Sequence, residues 1–229
     1  QNKLEALNKE LNTFVYKASH DLKGPLASIS GLTHMGLERV QDENAAQYFE
    51  MIQASVKRLD DTLIELLELS KSTNATIHLE EIDIKAFINS IQESVSHAEY
   101  SKGIEIKKEI LIKQKIFTDK DILTSSLQNL LINAMKYHRR EEPKKWIRIK
   151  AYNADTNKGI FITVEDNGTG IPDEIKDKIF NMFYRGNEAS DGTGLGLYIV
   201  KKNVEKLGGE ITLKDSKSGG ALFSIYLPN

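Results

Sequence analysis

Residues 18–30, ASHDLKGPLASIS, place a histidine directly beside an aspartate, with a proline four residues beyond the aspartate. The apolar spacing around this stretch is helical, so the imidazole of His20 and the carboxylate of Asp21 are predicted to be neighbours on a helix. Pro25 has no backbone N–H and is expected to kink that helix. The fold follows from the residues on either side of this stretch.

Apolar residues recur at alternating spacings of three and four, both before and after it. This is the a/d pattern of paired helices, although a generic amphipathic helix is an alternative for the short first row. Residues 40–46 between the rows are polar and turn-like, which predicts a two-helix hairpin. One hairpin cannot bury both rows, so we expect a homodimeric four-helix bundle. The first row is Leu4, Leu7, Leu11, Phe14 and Ala18, and the second is Ile52, Val56, Leu59, Leu63 and Leu66.

The pattern changes near residue 72, where residues 71–75 (KSTNA) are interpreted as a linker. We therefore predict two domains, residues 1–72 and 73–229. Several predicted strands are adjacent along the chain, which favours an α+β layered sandwich over a parallel doubly wound sheet. The predicted strands are 104–112, 146–152, 160–166, 210–214 and 221–227, and the predicted helices are 83–100, 119–138 and 195–207.

Composition excludes several classes of protein. The 229 residues include 31 Lys and Arg against 33 Asp and Glu, so a net charge of −2 gives no bulk attraction to nucleic acid. There is no cysteine, hence no disulfide and no thiolate metal site. No apolar run approaches the ~20 residues that span a bilayer. Because the chain begins at Gln1 without a methionine, we expect a fragment of a longer protein, from which any sensor part has been removed. The expected location of the fragment is the cytoplasm, and the lack of a long apolar run predicts that it contains no transmembrane segment. Membrane attachment of the parent protein stays open.

His20 is the first candidate for chemistry. In the heptad register it falls at a c position, which faces solvent. Asp21 can accept a hydrogen bond from one ring nitrogen and leave the other as a nucleophile. The alternative is an idle surface histidine. His34 is a weaker candidate because it has no adjacent carboxylate.

The helix predicted over residues 119–138 carries a polar row opposite its apolar stripe. Asn129, Asn133 and Lys136 fall at i, i+4 and i+7. An amide oxygen can ligate Mg²⁺ and an ammonium can meet phosphate. An ordinary solvated helix face is the alternative.

Two glycine-rich segments follow. In VEDNGTGIP, residues 164–172, Asp166 is in phase with the apolar residues of its strand, so its carboxylate should be buried and need a donor such as an adenine amino group. Gly168 and Gly170 would allow close approach of a ligand, although D-x-G is also a common turn. In DGTGLGLYIVKK, residues 191–202, glycines lead into a helix start that can hold phosphate, without the Walker or dinucleotide spacing. Residues 180–191 could form a lid, with Phe180 and Phe183 at its base or in the core.

These motifs, in this order, resemble the catalytic core of two-component sensor histidine kinases over essentially the whole chain. SHDLKGPL resembles the H box, LQNLLINAMKY the N box, EDNGTGIP the first glycine box, IFNMF the F box and GTGLGL the second glycine box. The resemblance implies a dimeric phosphoacceptor hairpin followed by an α/β sandwich ATP-binding domain of the gyrase, Hsp90, histidine kinase and MutL type. It also implies ATP and Mg²⁺ as cofactors and a response-regulator receiver domain as partner.

The resemblance also assigns roles to residues. His20 would be the phosphoacceptor, with Asp21 assisting it, and Asn133 the Mg²⁺ ligand. Asp166 would recognise adenine. The remaining expected nucleotide-binding residues are Asn129, Lys136, Tyr137, Gly168, Gly170, Arg185, Thr193, Gly194, Leu195, Gly196 and Leu197.

Two positions depart from related patterns. Gly24 stands where the family often has a threonine or asparagine that positions water for dephosphorylating the partner, which argues against phosphatase activity. Asn129 stands where the hydrolytic relatives carry a glutamate base, which favours transfer over hydrolysis. The other functions we considered are a non-catalytic dimerising module that binds nucleotide as a structural ligand, and a serine kinase of the same ATPase fold.

Overall fold

The computed structural model describes residues 2–74, 76–96, 99–112, 115–139, 141–154, 159–186 and 192–228. Of residues 2–16, 20, 71–74 and 99 it describes the backbone alone. The chain divides into two compact units. The first comprises Gln1–Ala75 with Asn187–Leu195, and the second comprises Thr76–Gly186 with Gly196–Asn229. No helix in the described part of the chain is long and apolar enough to cross a membrane.

The first unit contains the predicted helical hairpin. Helix α1 spans Asn2–Arg39 and continues through Pro25, and α2 spans Glu43–Asn74. The turn between them is shorter than predicted, and Asp42 caps α2 by accepting the N–H of Ala45 at 2.8 Å. The predicted linker at residues 71–75 is wrong, because α2 is helical through Asn74. The segment KSTN contains neither glycine nor proline, so nothing in it stops a helix.

The second apolar row divides between two faces of α2. Val56 and Leu63 are buried in the hairpin, whereas Ile52 and Leu59 are 44% and 55% exposed. Phe49 of α2 packs where α1 has Gly36, since a β-carbon there would lie 2.6 Å from the Phe49 ring. In the first row, only Ala18 has a described side chain, and it is half-buried. The hairpin thus buries one part of its apolar surface and leaves another part exposed.

The second unit is a mixed sheet covered by helices. Its elements are β1 (Glu80–Ile82), α3 (Ile84–Val95), a 3₁₀ turn (Glu99–Ser101), β2 (Ile104–Ile110), β3 (Ile116–Thr118), α4 (Lys120–Lys136), β4 (Lys145–Asn153), β5 (Gly159–Asp166), α5 (Asp173–Lys176), α6 (Gly196–Lys206), β6 (Glu210–Asp215) and β7 (Ala221–Pro228). Five strands pair in the order β2-β4-β5-β7-β6, with β2 parallel to β4 and the other neighbours antiparallel. A separate antiparallel pair joins β1 to β3.

The core of this unit lies between the sheet and the long helices. Leu127 and Leu130 of α4 and Ile149, Ile162 and Ile225 of the central strands are at most 2% exposed. Burial of each such side chain contributes about 1.5–3 kcal/mol. The N-cap Asp119 begins α4 by accepting the N–H groups of residues 121 and 122.

The predicted fold class is confirmed: a helical hairpin is followed by a mixed sheet with helices. All five predicted strands are present, but the predicted helix at 83–100 ends at Val95. The three-residue strands β1 and β3 and the four-residue α5 were not predicted, because elements so short show no periodicity.

Candidate nucleotide and phosphoacceptor site

Asp166, the last residue of β5, ends a strand whose alternate side chains enter the core. It is 7% exposed, on the face that the helices cover, as its phase predicted. Its Oδ1 accepts two backbone hydrogen bonds, from Gly168 N–H at 2.7 Å and from Ala221 N–H at 3.2 Å. A buried acceptor is therefore held in a fixed direction at the end of the central sheet.

Burial raises the pKa of Asp166 above its ordinary value, because the ionised carboxylate loses water. The N–H groups of Gly168 and Ala221 act in the opposite direction, and the neighbouring charge of Glu165 raises the pKa further. A buried carboxylate needs hydrogen-bond donors, and an amino group on a heteroaromatic base is one.

Glycines around Asp166 allow close backbone contacts. A β-carbon on Gly168 would lie 2.4 Å from the carbonyl oxygen of Tyr137, which also accepts the N–H of Thr169 at 2.9 Å. Gly170 has φ +71°, a conformation that side chains rarely adopt, and a β-carbon on it would lie 2.7 Å from Gly219 O. The first glycine-rich segment thus packs against the end of α4 and against the β6–β7 turn.

The polar row of α4 lies on the accessible side of that helix. Asn129, Asn133 and Lys136 are all half-buried, and the Asn129 amide donates to Ser125 O at 3.0 Å. The Lys136 ammonium lies 5.5 Å from the ring centroid of Tyr137, which is 44% exposed. The opposite side carries the predicted apolar stripe: Leu123, Leu127, Leu130, Leu131 and Ala134 are buried.

The second glycine-rich segment leads into α6 as predicted. Helix α6 begins at Gly196, where a β-carbon would lie 2.8 Å from Asn129 Oδ1, so the helix start lies against the polar row of α4. Leu197 packs on the core. In the first unit, the Thr193 hydroxyl donates to the carboxylate of Glu65 and accepts the N–H of Leu195 at 3.2 Å.

Gly194, between Thr193 and Leu195, has φ +76°. Residues 187–191 of the predicted lid lie outside the described residues. At its base, Phe180 packs edge-on against Phe223 in the core, with ring centroids 6.3 Å apart. Phe183 does not pack there: it is 51% exposed with φ +60°, a strained conformation for an aromatic residue. Arg185 is half-buried.

The candidate phosphoacceptor His20 lies within α1, but its side chain is outside the described part of the structure, so its predicted exposure stays a prediction. Asp21 is exposed. No atom lies within 4 Å of where a β-carbon on Gly24 would be, so a side chain would fit at this position. The rival His34 is exposed and lies 3.6 Å from the carboxylate of Glu38.

The residues present fit a magnesium ion bound mainly through a nucleotide. Among the described residues, no three His, Cys, Asp or Glu side chains form a group that could hold a metal. Mg²⁺ needs no such cage, because it commonly takes one or two protein oxygens together with substrate phosphates and water. The Asn133 amide can supply one such oxygen.

Sequence reasoning missed one partner of Asp166, the backbone N–H of Ala221 at the start of β7, which lies 55 positions along the chain. The only sequence signal was the SGG triplet at residues 218–220, which marks a tight turn but does not indicate its neighbour.

Two family models match the chain. Residues 10–75 match the His Kinase A (phospho-acceptor) domain, and residues 118–229 match the histidine kinase-, DNA gyrase B-, and HSP90-like ATPase. The chain belongs to the sensor histidine kinases. It is the catalytic core of such a protein, a transferase that contains a phosphoacceptor domain and an ATPase domain, and the predicted family and enzyme class are confirmed.

The sequence similarity between this histidine kinase core and its relatives extends over nearly all of the chain. It is 34% identical to the sensor protein kinase WalK of Staphylococcus aureus over 98% of the chain and 55% of WalK. It is 26% identical to the aerobic respiration control sensor protein ArcB of Escherichia coli strain K12, over 99% of the chain and 30% of ArcB. The core thus spans between about a third and about half of the length of these relatives.

Solved structures show the same fold. Full-length ShkA, crystallised in complex with AMPPNP, superposes with a TM-score of 0.72 at 23% identity, over 94% of this histidine kinase core and 45% of ShkA. The mycobacterial sensor histidine kinase MprB superposes with a TM-score of 0.56 at 27% identity, over 66% of the core and 97% of that chain.

Proposed function

We propose that this histidine kinase core binds ATP with Mg²⁺ and transfers the γ-phosphoryl group to His20, from which an aspartate of a response-regulator receiver domain receives it. The observation that carries the proposal is the buried carboxylate of Asp166, which two backbone N–H groups hold and whose following loop packs against Tyr137, at the end of the helix that carries the polar row. That pairing of a fixed acceptor with amide and ammonium groups suits a nucleotide triphosphate.

Each predicted site residue has a role in this proposal. Asp166 accepts the amino group of adenine, and Gly168 and Gly170 let the base approach the backbone. Asn133 ligates Mg²⁺, and Arg185 reaches the γ-phosphate. The phosphate chain lies along Asn129, Lys136 and Tyr137 and under residues 193–197, that is Thr193, Gly194, Leu195, Gly196 and Leu197. The positive end of α6 at Gly196 favours the phosphate charge.

The transfer step requires little from the protein beyond positioning and charge balance. One imidazole nitrogen of His20 attacks the γ-phosphorus, a P–N bond forms, and the bond to the bridging oxygen of ADP breaks. Asp21 holds the other ring nitrogen. Asn129 is a neutral amide and cannot activate water as a general base, so transfer is favoured over hydrolysis. A receiver aspartate then attacks the phosphorus and releases the neutral imidazole.

The exposed apolar side chains of the hairpin support a homodimer. Leu22 and Ile29 on α1 are 51% and 42% exposed, and Ile52 and Leu59 repeat the seven-residue spacing on α2. A second hairpin could cover these four exposed side chains and complete the predicted four-helix bundle. Because the phosphoryl donor is ATP, we place the reaction in the cytoplasm, under the control of a sensor region that precedes this core.

Incubation with γ-labelled ATP and Mg²⁺ tests the proposal. The wild-type chain should become labelled, in a bond that acid cleaves and alkali does not, as expected for phosphohistidine and not phosphoserine. His20→Gln and Asn133→Ala should each lose the label. The matched control His34→Gln, in the same helix, should retain it. Label in His20→Gln would contradict the acceptor assignment, and acid-stable label would indicate a serine kinase.

A further inference from the structure

We propose that the turn between β6 and β7, residues 216–220, belongs to the adenine-recognition apparatus, and that Arg139 and Ser216 are positioning residues that hold Asp166 for the base through this turn. The inference rests on the proposed function, since it takes the amino group of adenine as the ligand of Asp166. It adds residues that none of the sequence motifs contains.

The turn reaches Asp166 through the first residue of β7. The N–H of Ala221 donates to the same Oδ1 that receives the N–H of Gly168. A β-carbon on Gly220 would lie 2.2 Å from the Asp166 carbonyl oxygen and 2.4 Å from its Oδ1. Because these backbones are in contact, a displacement of the turn must move the donor that orients the carboxylate.

Arg139, just beyond α4, fixes the far side of the turn. Its Nη2 donates to the carbonyl oxygen of Gly219 at 3.1 Å. Gly219 has φ +85°, and a β-carbon there would lie 2.5 Å from the same Nη2, so the guanidinium lies directly against the backbone. The carbonyl that Arg139 holds is also the one against which Gly170 packs. One side chain therefore supports both the turn and the loop that follows Asp166.

Ser216 fixes the near side of the turn to β5. It is 5% exposed, and its hydroxyl donates to Glu165 Oε1 at 2.8 Å and accepts the N–H of Ser218 at 3.2 Å. Arg148 binds the other oxygen of Glu165 at 3.2 Å. The backbone of Ser216 closes the turn, because its N–H donates to Gly220 O and its carbonyl accepts the N–H of Gly219, both at 2.9 Å.

Two anchors thus hold a turn whose next residue donates to Asp166. Hydrogen-bond strength depends on direction as well as distance, so a carboxylate fixed from behind recognises a donor better than one that rotates. Loss of the Arg139 or the Ser216 side chain should therefore weaken the binding only of ligands that present an amino group to Asp166. Ligands without that group should bind as before.

The experiment compares ATP with purine riboside triphosphate, which lacks the exocyclic amino group. Dissociation constants are measured by isothermal titration calorimetry on the whole chain with Mg²⁺, for wild type, Arg139→Ala, Ser216→Ala and the control Lys217→Ala. Wild type should prefer ATP. Arg139→Ala and Ser216→Ala should each lower that preference about 3- to 10-fold, the range of one ordinary hydrogen bond, with the affinity for the analogue unchanged. Lys217, exposed on the same turn, should be replaceable without effect.

Three outcomes would overturn the positioning role. The first is an equal loss of affinity for ATP and for the analogue, and the second is an unchanged preference for ATP in both Arg139→Ala and Ser216→Ala. The third is an equal loss of that preference in Lys217→Ala. Arg139 is exposed, so its replacement leaves the core intact and decides the question even if Ser216→Ala does not fold. A wild-type protein that binds neither nucleotide would overturn the proposed function instead, so the two failures are distinguishable.

Discussion

The carbonyl oxygen of Tyr137 lies 2.4 Å from the place where a β-carbon on Gly168 would stand. This contact joins the end of α4 to the loop after Asp166, and the N–H of Thr169 reinforces it by donating to the same carbonyl at 2.9 Å. The loop is therefore closed to any side chain at residue 168.

Gly168→Ala should consequently displace the loop and with it the N–H that holds Asp166. We expect ATP affinity to fall at least about 10-fold, since one charge-assisted hydrogen bond is lost or distorted. Isothermal titration measures the loss. Gly31→Ala, where no atom lies within 4 Å of the added carbon, is the control and should bind ATP as wild type does. Full affinity in Gly168→Ala would show that the loop can shift without cost.

The substitution Asp166→Asn should weaken ATP binding without destabilising the fold. The new amide oxygen can still accept the N–H groups of Gly168 and Ala221, but its NH₂ meets the adenine amino group donor to donor. We expect at least about 30-fold weaker ATP binding, and a melting temperature equal to or above that of wild type because a buried charge is removed. Normal ATP binding by Asp166→Asn would show that Asp166 does not recognise the adenine.

The raised pKa of Asp166 gives stability a definite pH dependence. Between the unfolded value, near 3.9, and the higher folded value, the folded state binds more protons than the unfolded state. This group's contribution to the free energy of unfolding therefore decreases as pH rises through that window and is constant above it. Denaturant titrations of wild type and Asp166→Asn across the acidic range should show a difference that follows this sign. A difference that is independent of pH would contradict the shift.

Much of the second unit could be predicted because its long elements have clear periods. Alternation along β5 placed Asp166 on the buried face, and the 3.6-residue stripe of α4 placed Asn133 on the other side of that helix. The partners of Asp166 could not be predicted in the same way. Ala221 contributes a backbone N–H, which any residue except proline carries, so its type gives no signal.

The periodicity of the sequence also did not show which apolar side chains are buried and which are exposed, because that depends on packing. The spacing of the second apolar row did not distinguish Val56, which is buried against its own hairpin, from Leu59, which is exposed. The two lie about 60° apart around α2, too close for a pattern to separate without the partner helix. The exposure of Phe183 likewise depends on a backbone conformation with φ +60°, which its sequence does not indicate.

Three glycines of α1 should respond differently to alanine. No atom lies within 4 Å of an added β-carbon at Gly24 or Gly31, so each replacement should stabilise the helix by about 0.5–1 kcal/mol. At Gly36 the added carbon would lie 2.6 Å from the Phe49 ring, and the ring must move. We expect Gly36→Ala to lower the melting temperature while the other two raise it. The same sign at all three positions would contradict the hairpin packing.

The dimer depends on apolar side chains that the single hairpin leaves exposed. Ile52 and Leu59 lie seven residues apart on α2 and so share one face of the helix. A double variant, Ile52→Glu with Leu59→Glu, would place two like charges in each copy at the predicted interface, where burying an unpaired charge is very costly. We expect it to be monomeric at micromolar concentration in sedimentation equilibrium, while ATP binding is unchanged because the second unit is untouched.

The control for this prediction is Met51→Glu, which also replaces an exposed apolar residue of α2 by glutamate. Met51 is 65% exposed and points about 100° away from Ile52 around the helix, so the dimer should persist. Circular dichroism on all variants checks that the helices remain. A double variant that stays dimeric with its helices intact would place the interface elsewhere on the hairpin, and a wild-type monomer would remove the four-helix bundle altogether.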